Sequence, residues 1–289
     1  MPSLPGFVTG GASAIAAADI TDAGTTGVEL VQAETAADAL AELGATATGI
    51  SLVQAVSASD ALAALDPGLP TTGIVARWSA SDLVLSDGDP VSTWAPGAGS
   101  PGSLTGSGSA RPTYRATGSP SGGPAVEFDG SDELSLSSPA GLPDGADAGT
   151  IVVIVSRCSH SGALNHIIAY GAGATAKGRG LGYNDATWRC LDYASELGTS
   201  SDTPRHRRGV VLGHAYDGTT RRLWVDGVPV AADTPSLNTG ATVMYLGRSI
   251  FGGERATCRV MTVAIYSAAL TDAQWAQVMA HARTAHGVP

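Results

Sequence analysis

The residues of this chain best suited to chemistry are carboxylates and aromatics. Glu127, Asp129, Asp132 and Glu133 crowd into the segment Glu127-Phe128-Asp129-Gly130-Ser131-Asp132-Glu133. Two carboxylates facing one cleft can serve as nucleophile and acid on a glycosidic bond. On a strand they share a face only at even spacing. Gly130 turns the chain between them, so the segment reads as a strand closed by a polar turn. Ser159-His160, His166, His206 and His214 have no nucleophile elbow around them. The histidines, cysteines and acids show no zinc spacing. Gly178-Arg179-Gly180-Leu181-Gly182 is glycine-rich but joins strands, which is not the setting of a phosphate loop.

Recognition of a polyhydroxylated ligand has better candidates. Tyr183-Asn184-Asp185, followed by Trp188 and by Asp192-Tyr193, mixes ring faces with planar polar groups in a strand–turn–strand. Tyr183, Trp188 and Tyr193 could stack on a sugar ring while Asn184 and Asp185 accept its hydroxyls. Trp188 is equally suited to a core. Arg205-His206-Arg207-Arg208 is a cationic cluster whose Arg205 and His206 could meet an anionic sugar. Asn184 and Asp185 also offer oxygens to calcium, as an incomplete set. No other cofactor, and no catalytic activity, is expected.

The elements that must position these residues are strands. The chain has 289 residues, 38 of them Gly, and only 15% charged residues. That composition favours a turn-rich β protein. Residues 210–232 hold two Asp-Gly turn dipeptides, Asp217-Gly218 and Asp226-Gly227, between alternating or β-branched runs. They predict three successive antiparallel strands. Pro229 lacks a ladder N–H and belongs at an edge or beside a bulge. Further strands are expected at 74–78, 91–94, 124–128, 150–155, 167–170, 179–183, 187–193, 242–246 and 256–266, with 150–155 buried on both faces. Residues 95–112 read as a weakly ordered Gly/Ser loop. One helix closes the chain: Thr271 and Gln274 form a capping box, Trp275, Val278, Met279 and Ala282 its apolar face, and Gly287 its end. Cys158, Cys190 and Cys258 are odd in number and widely spaced, as expected of buried thiols.

The front of the chain differs. Residues 1–73 carry eight acids and no Lys or Arg, whereas the remainder carries 18 acids against 16 bases. Without a basic stripe, nucleic acid is not an expected partner. No apolar span or leader pattern suggests membrane insertion or a signal peptide. Residues 26–43 recur at 48–65 with twelve identical positions. Each unit pairs a short extended run with a helix of two or three turns, too short to stand alone. Leu40, Leu43, Leu62 and Leu65 must bury against other copies, which predicts an oligomeric stalk. Asp66-Pro67-Gly68-Leu69-Pro70 ends it, placing a domain boundary near residue 70.

Two resemblances follow. The pattern at Gly27 to Gly44, with Ile20-Thr21-Asp22-Ala23-Gly24 before it, resembles the short repeats in tail-fibre and head-spike proteins of tailed phages and gene transfer agents. That implies an attachment segment at 1–19 bound to a virion or capsid protein, a repeat stalk at 20–69 and a head at 70–289. It also implies self-association, with trimers favoured over pentamers, and a place on the surface of a virion or phage-like particle. The head resembles the concanavalin A-like, laminin-G-type sandwich in Ala76-Arg77-Trp78, Pro124-Ala125-Val126-Glu127-Phe128-Asp129-Gly130, Tyr216-Asp217-Gly218, Leu223-Trp224-Val225-Asp226-Gly227, Tyr245-Leu246-Gly247 and Ala269-Leu270-Thr271-Asp272. The expected fold class is therefore mainly β: a two-sheet antiparallel jelly-roll sandwich preceded by a small oligomeric stalk. His214 would be a satisfied core histidine between Leu212 and Tyr216. Glycosidases of this resemblance carry Glu-x-Asp-x-x-Glu on one strand; here Glu133 falls one residue late. The expected function is a fibre or spike subunit that binds host cell-surface polysaccharide. The alternatives are a structural capsid or baseplate decoration and a polysaccharide depolymerase.

Overall fold

The computed structural model describes residues 66–159, 164–184, 187–192, 195–199 and 209–289. The expected attachment segment and repeat stalk lie outside the described residues, as do Asp185, Tyr193, Arg205 and His206. In chain order the strands are β1 (Ile74–Ser79), β2 (Thr93–Trp94), β3 (Ala98–Gly99), β4 (Leu104–Thr105), β5 (Thr113–Arg115), β6 (Ala125–Asp129), β7 (Leu134–Ser137), β8 (Gly149–Ser156) and β9 (Asn165–Gly171). They continue as β10 (Gly178–Asn184), β11 (Thr187–Asp192), β12 (Ser195–Gly198), β13 (Val210–Tyr216), β14 (Arg221–Val225), β15 (Val228–Asp233), β16 (Val243–Leu246) and β17 (Thr257–Tyr266). Helix α1 (Asp272–His286) follows.

The strands form two antiparallel sheets. The first runs β15-β14-β13-β8-β17-β1-β3, with β6 also on β17 and β5 on β6; the second runs β12-β11-β10-β9-β16-β7-β4-β2. Strand β8 shows why the layers stack. Ile151, Val153 and Val155 face the core between the sheets, while Val152 and Ile154 face a second core under α1. An apolar β-branched run with no polar face suits a strand covered on both sides.

Helix α1 covers the outer face of the first sheet. Its Thr271–Gln274 capping box is formed, and Gly287 at φ 66° ends it in the left-handed conformation that glycine adopts freely. Trp275 stacks on Trp224 with centroids 4.7 Å apart and lies flat over Gly213. The predicted meander is β13-β14-β15. Asp226 and Gly227 take φ 49° and 76°, a two-residue hairpin turn with both central residues left-handed. Pro229 lies on the sheet-edge strand, opposite a register shift at Leu223/Trp224.

One expectation is corrected. Residues 95–112 are not loosely held: they carry β3 and β4, and Leu104 is fully buried. Gly99 passes so close that a Cβ there would sit 1.7 Å from the Val75 carbonyl oxygen, an approach open only to glycine. The segment entering the head docks on α1. Asp66 accepts from His281 at 2.9 Å, Gln277 donates to the carbonyls of Pro67 and Gly68, and Leu69 is buried under α1. The compact unit begins at Asp66.

A Cβ at Gly213 would sit 2.0 Å from Trp275 Cη2. Gly213→Ala should therefore lift α1 off the sheet and cost roughly 1–3 kcal/mol, the usual range for overpacking. Chemical denaturation with tryptophan fluorescence reads both the loss and the disturbed indole pair.

Candidate functional site

The site begins with a strand that is bulky on one face and bare on the other. In β10, Arg179, Leu181 and Tyr183 point between the sheets, while Gly178, Gly180 and Gly182 face outward. The bare face is occupied by neighbours. A Cβ on Gly182 would lie 2.5 Å from Leu191 Cδ1, and one on Gly178 would lie 2.7 Å from Phe251 Cζ. The glycines thus let Leu191 and Phe251 rest directly on the sheet.

Next to it, β9 carries a bulge. Ile168 pairs with Leu181 but His166 pairs with Gly182, so one extra residue, Ile167, enters the ladder. Ile167 and Ile168 both join the core. Simple alternation from Ile168 would turn His166 inward; the bulge turns it to the glycine face instead.

These elements enclose a cavity of about 340 Å³ lined by Leu164, His166, Leu191, Asp192, Glu196, Ser249, Phe251 and Glu254. Glu196 pairs with Leu191 across β11 and β12 and shares its outward face. The far wall is the loop 248–255, closed by an Arg248–Arg255 bridge and by the Ser249 N–H donating to the Glu254 carbonyl at 2.9 Å. Glu133 clamps that loop, meeting Arg248 at 3.1 Å and Arg255 at 2.7 Å. Arg248 also lies 4.9 Å over the Tyr245 ring. Phe251 stands edge-on to His166, centroids 6.3 Å apart.

The polar atoms of the cavity are not all used. His166 is 2% exposed, yet its Nδ1 has no partner, and neither has the buried Oε2 of Glu254. Burial pushes His166 down to about 4, against the pull of the Glu254 carboxylate. The imidazole is neutral at pH 7, with one ring nitrogen to donate and one to accept. Below the cavity, Asp192 accepts from Arg221 at 2.6 Å and from His214 Nε2 at 3.0 Å, all three fully buried. Arg221 also binds Asp233 and donates to the Ser195 carbonyl at 2.6 Å. Burial raises the Asp192 carboxyl, but His214 and Arg221 outweigh it and hold the group below the usual range. This trio ties the β11–β12 end to β13 and β14. His214 is the core histidine expected, but it is only half satisfied: Nε2 meets Asp192, while the buried Nδ1 has no partner.

Of the candidate residues that the sequence suggested, Tyr183, Asn184 and Trp188 lie among the described residues. Tyr183 is fully buried, and its hydroxyl donates to the carbonyls of Thr257 and Ser159 at 2.8 and 3.1 Å. Trp188 is 3% exposed and packs edge-to-face on Tyr183 at 5.6 Å. Neither ring is open to a sugar, because both share the inward parity of Leu181 and Cys190. The stacking platform expected there is corrected to a core pair. Asn184 is half-buried and accepts from Thr187 Oγ1 at 2.7 Å. Among the described residues no group of three or more His, Cys, Asp or Glu could hold a metal ion, and no helix is long and apolar enough to cross a membrane. Glu127 is held by Arg115 and Arg259. Burial raises its carboxyl, and those hydrogen bonds bring it below the usual range. Cys158, Cys190 and Cys258 are buried and form no disulfide. The glycine-rich 178–182 segment is a strand in itself, not a connection between strands. His166, Leu191, Glu196, Ser249, Phe251 and Glu254 were not singled out as binding residues from the sequence. Alternate glycines in Gly-Arg-Gly-Leu-Gly-Tyr were the available signal.

No protein-family model and no curated sequence matches the chain. Its fold does match solved structures. The binding domain of Paraclostridial mosquitocidal protein 1 superposes with TM-score 0.54 at 10% identity, covering 72% of this chain and 52% of that one. Domain 4 of an extracellular arabinanase from Geobacillus stearothermophilus, in complex with arabinotriose, gives 0.52 at 17% identity, over 72% of this chain and 98% of that one. A mutant Trypanosoma rangeli sialidase gives 0.50 at 14% identity, over 85% and 40%. The chain thus spans about half the toxin binding domain and 40% of the sialidase, but nearly all of the arabinanase domain. Its fold is a mainly-β, two-sheet antiparallel sandwich.

Burial pushes both His166 and His286 down to about 4 from an ordinary value of 6.5. The unfolded chain therefore binds more protons between those values. Stability should be full above pH 6.5 and fall as pH drops toward 4. Asp132, raised to about 6 mainly by burial, opposes this with one group against two. Denaturation midpoints across pH 4–7 should show the net decline, and His286→Gln should make it shallower.

Proposed function

We propose that the sandwich is a glycan-binding head and that the cavity over β9, β10, β11 and β12 is its site. One observation carries this reading: Phe251 shares a cavity with two buried polar atoms that lack protein partners, His166 Nδ1 and Glu254 Oε2. Buried polar groups ordinarily have partners, and leaving them without one is costly. A sugar supplies hydroxyls that donate and accept, and C–H faces that suit an aromatic ring. The cavity falls within the range of small-molecule sites, roughly 300–1,000 Å³. The likeness in fold to a domain in complex with arabinotriose supports the reading.

The larger role is proposed from the repeats at 26–43 and 48–65. In this proposal they form an oligomeric stalk, a trimer in preference to a pentamer, that fixes the head to a virion or phage-like particle. The heads bind host cell-surface polysaccharide, and their number turns weak single-site affinity into avidity. The proposal calls for no cofactor and no catalytic step.

Phe251→Ala should lower affinity for the bound polysaccharide by roughly tenfold or more, as loss of a central aromatic contact does. The melting temperature should stay within a few degrees of the parent. A glycan array followed by calorimetry on the full chain tests this; binding unaltered by the substitution would place the site elsewhere. Immunogold labelling of purified particles tests the virion role, and labelled protein found only off the particle would exclude it.

A further inference from the structure

We infer that the pocket selects neutral sugars and rejects those bearing a carboxylate, such as sialic and uronic acids. This rests on the glycan-binding reading of the same cavity. The described residues lining it include Asp192, Glu196, Glu254 and His166, and no Lys or Arg. Two of the three carboxylates already have cations. Asp192 holds Arg221 and His214, and Glu196 holds Arg189 at 2.6 Å. Glu254 Oε2 has no such partner. His166, enclosed beside Phe251, adds no positive charge at pH 7.

An entering carboxylate would meet no cation among the described lining residues, and would face Glu254 Oε2, which has no hydrogen-bond partner. Burying a charge in that way is strongly unfavourable. A neutral sugar meets the opposite situation. Its hydroxyl donates to Glu254 in a charge-assisted hydrogen bond, about twice as strong as a neutral one. A second hydroxyl serves His166 Nδ1, and the ring's C–H face lies against Phe251. Arg189 could relieve the repulsion only by leaving Glu196 and Thr187, to both of which it donates.

Matched ligand pairs test this on the full chain: oligogalacturonate against its methyl ester, and sialyllactose against lactose, within a panel of neutral oligosaccharides. The inference expects binding among neutral members, loss in Phe251→Ala, and little or no binding of the acids. Glu254→Gln keeps the shape and removes the charge. It should weaken neutral binding roughly tenfold, as loss of a hydrogen bond to a charged group does, and should narrow the gap between each acid and its neutral partner. Acidic glycans bound preferentially, with that binding lost in Phe251→Ala, would overturn the selectivity and leave the glycan site standing. An unchanged acid-to-neutral ratio in Glu254→Gln would also overturn it. Binding of no glycan, neutral or acidic, would instead sink the reading of the cavity as a sugar site.

Discussion

The two faces of β10 set what the rest of the molecule can do. One face must bond the sheets together, and Arg179, Leu181 and Tyr183 do this by reaching into the interior. Arg179 donates to the Asp147 carbonyl at 2.6 Å and to Thr239 Oγ1 at 2.8 Å, and Tyr183 binds the carbonyls of Thr257 and Ser159. The other face must be empty, because Leu191 and Phe251 lie where its side chains would stand. Glycine weakens a strand and adds entropy to the unfolded chain. Three on one face make sense only where packing from both sides offsets that loss. Here the inward bulk supplies the stability and the outward bareness supplies the cavity.

The bulge in β9 and the ionic trio complete that arrangement from either side. Without Ile167 as an extra residue, His166 would point among Tyr183 and Leu181, where an imidazole lacking a partner has no place. With it, His166 faces the glycines, and the surplus isoleucine still reaches the core. Asp192 sits at the junction. Its partners lie on strands of the opposite sheet, so the floor of the cavity is tied to the first sheet by charge as well as by packing. A buried pair of charges is weak evidence for stability, since desolvation offsets the attraction. Its better-supported consequence is placement: Asp192, Arg221 and Asp233 hold β11, β14 and β15 in one register.

Much of the fold was legible because it follows from local rules. Asp226-Gly227 demanded a tight turn, the run at 150–155 demanded cover on both faces, and Thr271 with Gln274 announced the helix. The cavity was not legible in the same way. It joins His166, Leu191, Glu196 and Glu254 from four separate segments, and its orientation hangs on a single inserted residue in β9. Residue type alone marks Tyr183 and Trp188 for stacking, but strand parity decides where they point. They fall on the same side as Leu181 and Cys190, and that side is the core. Parity also puts Gly178, Gly180 and Gly182 together on the opposite face, where Leu191 and Phe251 pack.

The cavity joins two kinds of support with different consequences for binding. Leu191 and His166 stand on strands with ladders on both sides, and Glu196 stands on the edge strand β12, laddered to β11. Ser249, Phe251 and Glu254 stand on a loop, and loops ordinarily lose entropy when a ligand orders them. Glu133 reduces that loss by gripping Arg248 and Arg255 at the two ends of the loop. Arg248 over Tyr245 braces one end further, and the Phe251 N–H on Ser249 Oγ at 2.9 Å fixes the stretch inside it. The loop backbone is therefore arranged before a ligand arrives, with the Glu254 carbonyl held by the Ser249 N–H. A site preorganised in this way would forgo adaptability and lose little loop entropy on filling.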